Sequence, residues 1–267
     1  SNQSNLPRRA IQIQIIKKNT KEKTISEKQS YIKKRAMFEI EELKKRKKFK
    51  NNIFGEFKYL FTNNNDGTLN YIANNTTFDK IYSNNINAWD QNNINEKYYH
   101  YTRNYLINHI NTINNKDILE IGCGNGYSTN YLKLNIKSKN NFNGCDISKI
   151  AVKYAKEHYQ DINFFEHNIK NKCMRKDKYD IIIFGDLLWY ILTDLKQSIN
   201  NALSMLKDNG QILFYNAFLE NQKYGKDIID GFDGLISFFN KNFPHKIIKF
   251  KHKSELINYK YLGLLII

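Results

Sequence analysis

Lys116-Asp117-Ile118-Leu119-Glu120-Ile121-Gly122-Cys123-Gly124-Asn125-Gly126-Tyr127-Ser128-Thr129 is the stretch whose reading decides the fold. Asp117 to Ile121 is a short apolar run of strand length, glycine then alternates with another residue from Gly122 to Gly126, and Ser128 to Leu134 reads as helix. The order is strand, glycine turn, helix. Glycines allow positive φ and let a ligand approach main-chain N–H groups that a Cβ would shield. A turn of this kind cradles a nucleotide-like ligand at the carboxyl edge of a parallel sheet.

The neighbouring residues narrow the ligand. A dinucleotide fingerprint requires its third glycine three residues after the second, and Tyr127 occupies that position. An acid, Glu120, stands two residues before the first glycine. Phe142-Asn143-Gly144-Cys145-Asp146-Ile147-Ser148 reads as a second strand ending in an acid, with Asp146 twenty residues after Gly126. A carboxylate there accepts hydrogen bonds from ribose hydroxyls.

The E-x-G-x-G-x-G run from Glu120 to Gly126 resembles motif I of the class I methyltransferases that use S-adenosylmethionine. That resemblance implies an α/β fold: a Rossmann-like, seven-stranded, mostly parallel sheet with helices on both faces, here preceded by an N-terminal helical lid or extension. It assigns Glu120, Gly122, Cys123, Gly124, Asn125, Gly126, Asp146 and Ile147 to the cofactor. The third strand, Asn163 to Asn168, brings Asn168 to the place where the family often has an Asp facing the adenine amino group, with Ile169 beside it. Tyr179 to Asp186 is apolar through its middle, as a central parallel strand should be. It runs into Asp186-Leu187-Leu188-Trp189-Tyr190, which resembles motif IV, whose strand tip faces the methyl group being transferred. Asp186 is assigned there as a base or as holder of the cofactor's ammonium group, Tyr190 as its catalytic neighbour, and Trp189 and Tyr190 as walls of the acceptor pocket.

The remaining elements follow in order. Ser148 is placed to cap a helix through Ala155. A helix is expected from Thr193 to Leu206, then Asp208-Asn209-Gly210 as a turn similar to the family's K-P-G-G turn, then a fifth strand Gln211 to Tyr215. Tyr224 to Gly234 is a glycine-containing insertion, where small-molecule methyltransferases often line the acceptor pocket; Tyr224 and Lys226 are its substrate candidates, with Lys223 nearby. Lys246 to Phe250 and Tyr259 to Ile267 read as two closing strands, one reversed.

Three segments are expected in the chain. Residues 117–267 form the S-adenosylmethionine-binding domain. Residues 76–116, aromatic and helical, resemble a lid in which Tyr82 and Trp89 flank the methionine moiety and Arg103 meets its carboxylate; His100 and His109 are read as structural. Residues 1–75 form a basic, partly helical extension, with a short strand near residues 10–16, an amphipathic helix between Ser26 and Lys50, and a turn or linker at Asn63 to Gly67.

Composition sets the outer limits. The net charge is +16, but residues 1–60 hold 17 basic and 6 acidic side chains, net +11, which leaves +5 for the rest. Lysines number 36 and arginines 6. Base reading and phosphate clamping favour the planar Arg fork, so the charge alone does not argue for nucleic acid. Nucleic acid docked on the basic arm stays as a second reading, and a second copy of the chain as a partner for the same segment. Cys123, Cys145 and Cys173 lack metal spacing, so no metal is expected, and such buried thiols fit a reducing cytoplasm. No uncharged apolar run approaches the ~20 residues of a membrane span. Motif IV lacks the Asn/Asp-Pro-Pro-aromatic signature of many nucleic-acid and protein N-methyltransferases. Together with the aromatic lid, this gives a resemblance to small-molecule and sugar methyltransferases of surface-polysaccharide or natural-product pathways. The expected acceptor is an O or N atom of a sugar, nucleotide-sugar or related metabolite; a non-catalytic cofactor-binding module is the remaining alternative.

Overall fold

Strand β3, Asp117–Ile121, lies in the interior of a seven-stranded sheet, buried from Ile118 onward and paired in parallel on both sides. The computed structural model describes residues 59–92, 97–218, 223–244, 249–256 and 259–266, all within one compact unit, Ile53–Ile267. The expected strand at 10–16 and helix at 26–50 lie outside the described residues.

Two short strands open the described chain, β1 (Phe61–Asn63) and β2 (Leu69–Tyr71), paired antiparallel across the Asn64–Gly67 turn. Helices α1 (Asn75–Asn84) and α2 (Lys97–Ile110) follow. Asn74 begins α1 with a reciprocal cap: its side chain accepts from Thr77 N, and the Thr77 hydroxyl accepts from Asn74 N. Beyond β3 come α3 (Tyr127–Asn135), β4 (Asn141–Asp146), α4 (Lys149–His158), β5 (Asn163–Glu166), β6 (Tyr179–Gly185), the single turn α5 (Leu188–Ile191), α6 (Leu195–Ser204), β7 (Leu206–Phe218), α7 (Gly231–Asn242), β8 (Lys249–Leu256) and β9 (Tyr259–Ile266). The sheet order is β5-β4-β3-β6-β7-β9-β8. The first five strands are mutually parallel, and β9 runs antiparallel to both β7 and β8.

Side-chain alternation along the central strands makes two cores. Ile118, Ile181, Ile183 and Leu213 pack on one face with Leu106 and Ile110 of α2, Leu132 of α3 and Val152 of α4. Leu119, Ile121, Ile182, Phe184, Ile212 and Phe214 pack on the other with Ile199 and Ala202 of α6 and Leu235 and Phe239 of α7. The unbroken apolar run Ile181 to Phe184 of β6 therefore follows from burial on both faces.

Three local expectations are corrected. Asp208-Asn209-Gly210 does not precede the fifth strand; it lies inside β7, where the pairing shifts between Tyr179↔Leu206 and Ile181↔Gln211 and Asn209 takes φ 62°. The extra residues form a bulge, with Gly210 pressed to about 3 Å from Lys207 and Tyr179 carbonyls where a Cβ would stand. The third strand stops at Glu166, two residues before Asn168. The helix expected from Thr193 begins instead as a 3-10 turn, Leu192–Asp194, before α6. Among the described residues, no helix is long and apolar enough to cross a membrane, and no three His, Cys, Asp or Glu side chains gather to hold a metal ion.

Candidate active site

The turn after β3 takes positive φ at all three glycines: 74° at Gly122, 53° at Gly124 and 81° at Gly126. Gly122 N and Cys123 N both donate to Cys145 O, at 2.8 and 3.0 Å, which ties the turn to the end of β4. Each glycine faces a different neighbour. A Cβ on Gly122 would stand 2.8 Å from Leu187 Cδ1, and one on Gly126 2.8 Å from the Ala155 methyl, so Gly126 serves the close approach of α4. A Cβ on Gly124 would meet the Tyr82 hydroxyl.

Asp146 ends β4 and is buried. Its Oδ2 accepts from Gly124 N at 2.8 Å and its Oδ1 from Ser148 N at 2.9 Å. Burial pushes its carboxyl up to about 6 despite the amides from Ser148, Gly124 and Ile147, and the nearby Asp79 charge adds to the rise. The two oxygens together offer about four acceptor sites, more than these amides fill, so the carboxylate keeps room for another donor. Glu120, also buried, accepts from the Thr129 hydroxyl at 2.5 Å; burial raises its carboxyl, while Thr129, Ser128 and Arg103 pull it back. Cys123 and Cys145 are free, buried thiols whose ionisation the same surroundings oppose.

Residues 75–92 close over this turn. Trp89 Nε1 donates to the Tyr82 hydroxyl at 3.0 Å, and Asn125 Nδ2 donates to Ile86 O and Asn87 Oδ1, both at 3.0 Å. Asp79 accepts from the Ser148 hydroxyl at 2.7 Å. Arg103 is buried; it donates to Gln91 O at 2.7 Å and lies over the Tyr127 and Tyr131 rings. Tyr82 thus reaches the glycine turn and Arg103 the helix after it, while Trp89 joins them through the Tyr82 hydroxyl.

At the tip of β6, Asp186 takes φ 51° and its N donates to Tyr215 O at 2.9 Å. Burial raises the hydroxyls of Tyr190 and Tyr215 far above their usual range, with the Asp186 charge adding at Tyr190 and those of Glu120 and Asp186 at Tyr215, so both stay protonated at neutral pH. The Tyr190 ring meets Phe78 and Trp89, each at 5.7 Å, and Tyr71 at 6.5 Å. Tyr71 and Phe61 in turn contact Tyr224, at 5.8 and 5.1 Å. The Tyr224 hydroxyl is buried with no hydrogen-bond partner among the described residues, and burial beside Asp194 and Asp227 pushes it up to about 12.

Other expected residues stand apart from this group. Trp189 packs on the core beneath α6 and α7, while Tyr190, its neighbour, joins the lid rings; one helical step sends them to opposite sides. The Ile169 side chain is core, and its carbonyl accepts from Asn201 Nδ2 at 2.8 Å. Asn168 folds its Oδ1 onto Lys170 N at 3.0 Å, and Ile147 packs against the lid cluster. Lys226 and Lys223 are exposed. His109 reaches Gln211 at 3.2 Å, and the side chain of His100 lies outside the described residues. Sequence reasoning passed over Asp79, Phe61 and Tyr71, because an acid or a ring in a surface segment carries no local pattern.

Comparison with known proteins accords with this geometry. Residues 113–236 match the family model described as a methyltransferase domain. The chain is similar to protein 235L of Invertebrate iridescent virus 6, named as a methyltransferase, at 32% identity over 120 residues, 45% of this chain and 43% of that one. It is similar to the malonyl-acyl-carrier-protein O-methyltransferase of Bacillus anthracis at 34% over 99 residues, 36% of each. The chain thus spans less than half the length of these two relatives. Among solved structures, the N-methyltransferase NodS from Bradyrhizobium japonicum WM9, in complex with S-adenosyl-L-homocysteine, superposes with TM-score 0.56 at 16% identity over 72% of this chain and 96% of that one. Residues 113–236 thus match a methyltransferase domain, and the described chain has the fold of the superposed N-methyltransferase.

Proposed function

We propose that this protein moves the methyl group of S-adenosylmethionine onto an oxygen or nitrogen of a small acceptor, a sugar, nucleotide-sugar or related metabolite. The observation that carries the reading is the roof over the β6 tip: Phe78, Trp89 and Tyr71 meet Tyr190 from elements of the same chain. A roof of rings suits an acceptor small enough to be enclosed, and ring faces pack well on the C–H face of a sugar. The missing Asn/Asp-Pro-Pro-aromatic signature supports the same class.

The chain's own groups divide the work. Amides of the Gly122–Gly126 turn and the Asp146 carboxylate hold the adenosine, with Ile147, Asn168 and the Ile169 main chain at the base. Glu120, Arg103, Tyr82 and Trp89 surround the amino-acid end. When bound, the cofactor supplies a methyl group on a positively charged sulfur, so alignment and exclusion of water do most of what remains, a contribution of up to about 7–11 kcal/mol. Asp186 accepts the acceptor's proton or its N–H or O–H hydrogen bond. Tyr190, held protonated, orients by donating. Tyr224 and Lys226 bound the far side.

The test is S-adenosylhomocysteine titration by calorimetry, followed by mass spectrometry of methylated products from a panel of sugars, aminosugars and nucleotide-sugars. Failure to bind the product cofactor ends the reading. The net +11 of residues 1–60 favours a second one, RNA as acceptor; a steep fall of RNA affinity with salt, abolished by removing that arm, would select it.

A further inference from the structure

Asp79 lies on α1, far in sequence from every strand tip of the seven-stranded sheet, yet it completes the end of a helix on the cofactor side. Ser148 is the N-cap of α4: its hydroxyl accepts from Ala151 N at 3.2 Å, and its own N donates to Asp146 Oδ1 at 2.9 Å. A hydroxyl has one proton to give, and Ser148 is fully buried, so that proton needs a protein acceptor. Asp79 Oδ1 provides it at 2.7 Å and also takes Ile150 N at 3.3 Å. The first turn of α4 is therefore capped jointly: Ala151 by Ser148, Ile150 by a carboxylate 71 residues away, whose charge suits a helix N-terminus.

We propose that Asp79 is a positioning residue for the cofactor: by fixing Ser148 from the lid side it sets the Asp146 carboxylate, so that docking of residues 75–92 and completion of the ribose-binding site are a single step. This rests on the reading of Asp146 as the ribose acid. The coupling is electrostatic as well as geometric. The Asp79 charge raises the Asp146 carboxyl, and Asp146 in turn raises the groups that face it: Tyr82 from the lid, Cys123 from the glycine turn, Cys145 from β4 and Glu120 from β3. Asp79 is the one that can be neutralised without touching the turn or the sheet.

The experiment uses the full chain, Asp79→Asn and Asp79→Ala. Asn keeps an oxygen for the Ser148 hydroxyl and removes the charge; Ala removes both. Titration of the Asp146 carboxyl carbon is followed by NMR without ligand, and S-adenosylhomocysteine affinity by calorimetry from pH 5 to 8. In Asp79→Asn the Asp146 midpoint falls below its value in the unaltered protein, affinity at pH 7.5 stays within about threefold, and binding persists to lower pH. Asp79→Ala weakens binding at pH 7.5 by about tenfold or more, the scale of one hydrogen bond to a charged group. An Asp146 midpoint that does not move in Asp79→Asn, or an unchanged affinity in Asp79→Ala, overturns the proposal. Absence of binding by the unaltered protein instead sinks the ribose reading itself, while the ligand-free titration still decides whether Asp79 and Asp146 are coupled.

Discussion

The Tyr82 hydroxyl stands 2.5 Å from the point a Cβ on Gly124 would occupy. Gly124 is at φ 53°, so Ala there meets two penalties: about 1–2 kcal/mol for left-handed backbone and the displacement of a buried ring anchored by Trp89. Gly124→Ala is expected to lower stability by about 2 kcal/mol or more and to weaken S-adenosylhomocysteine binding at least tenfold. Because the obstructing atom is the hydroxyl, Tyr82→Phe in the same protein should recover part of the stability. Chemical denaturation of the two single variants and the double variant checks this; strict additivity would show that the two residues do not meet.

Asp146 links pH to stability and to binding in opposite senses. Its pKa in the fold, about 6, lies above the ordinary 3.8, so its contribution to stability is fully present below pH 3.8 and is lost as pH rises through 6. At pH 7 the ionised, buried group costs about 3 kcal/mol relative to its protonated form. Relative to Asp146→Asn, the unaltered protein should therefore gain stability as pH falls from 7 to 4. Cofactor affinity should fall over the same interval, since ribose hydroxyls need the carboxylate as acceptor. Urea unfolding of both proteins at pH 4, 5, 6 and 7 reads the first trend, and calorimetry the second; parallel trends would exclude the assignment.

Tyr224 offers a separation of stability from function. Its hydroxyl is buried without a partner among the described residues, so Tyr224→Phe should leave stability unchanged or raise it by about 1 kcal/mol. If the hydroxyl waits for the acceptor, the same change lowers kcat/KM for methyl transfer about tenfold with cofactor affinity untouched. A loss of stability would mean that the hydroxyl has a partner in the folded protein.

At the opposite edge of the sheet, Lys207 bridges Asp117 and Asp180, at 2.5 and 2.8 Å, and Lys116 adds a second bond to Asp180 at 3.2 Å. Asp180 is held down to about 2: burial alone would raise it, and hydrogen bonds from Lys207, Asp117 N and Lys116 outweigh that effect. A lowered pKa gives stability that is present above pH 3.8 and lost as pH falls through 2. Asp180→Asn should cost about 1 kcal/mol at pH 7 and little at pH 2, with cofactor affinity unchanged. Denaturation at the two pH values checks the sign.

The glycine turn, the acid at Asp146 and the apolar β6 were legible because each is set by a few consecutive residues. A strand that must end, turn with positive φ and start a helix has few spellings, and Gly122 to Gly126 is one of them. The β7 bulge was not legible: Asp208-Asn209-Gly210 spells a turn, and only the pairing of Tyr179 with Leu206 keeps it inside a strand. Trp189 and Tyr190 show the same limit. Adjacent aromatics look equivalent in sequence, and packing alone sent one to the core and the other to the lid.

By itself the sequence determined the α/β order, the glycine turn after β3 and the buried run of β6, since backbone conformation and burial period are local properties of the chain. Only the tertiary structure decided that the β1–β2 hairpin supplies rings to the roof and that Asp79 reaches Ser148. Those contacts join residues about 70 to 160 positions apart, and no spacing rule encodes a hydrogen bond or ring contact that exists only after the sheet has brought its edges together.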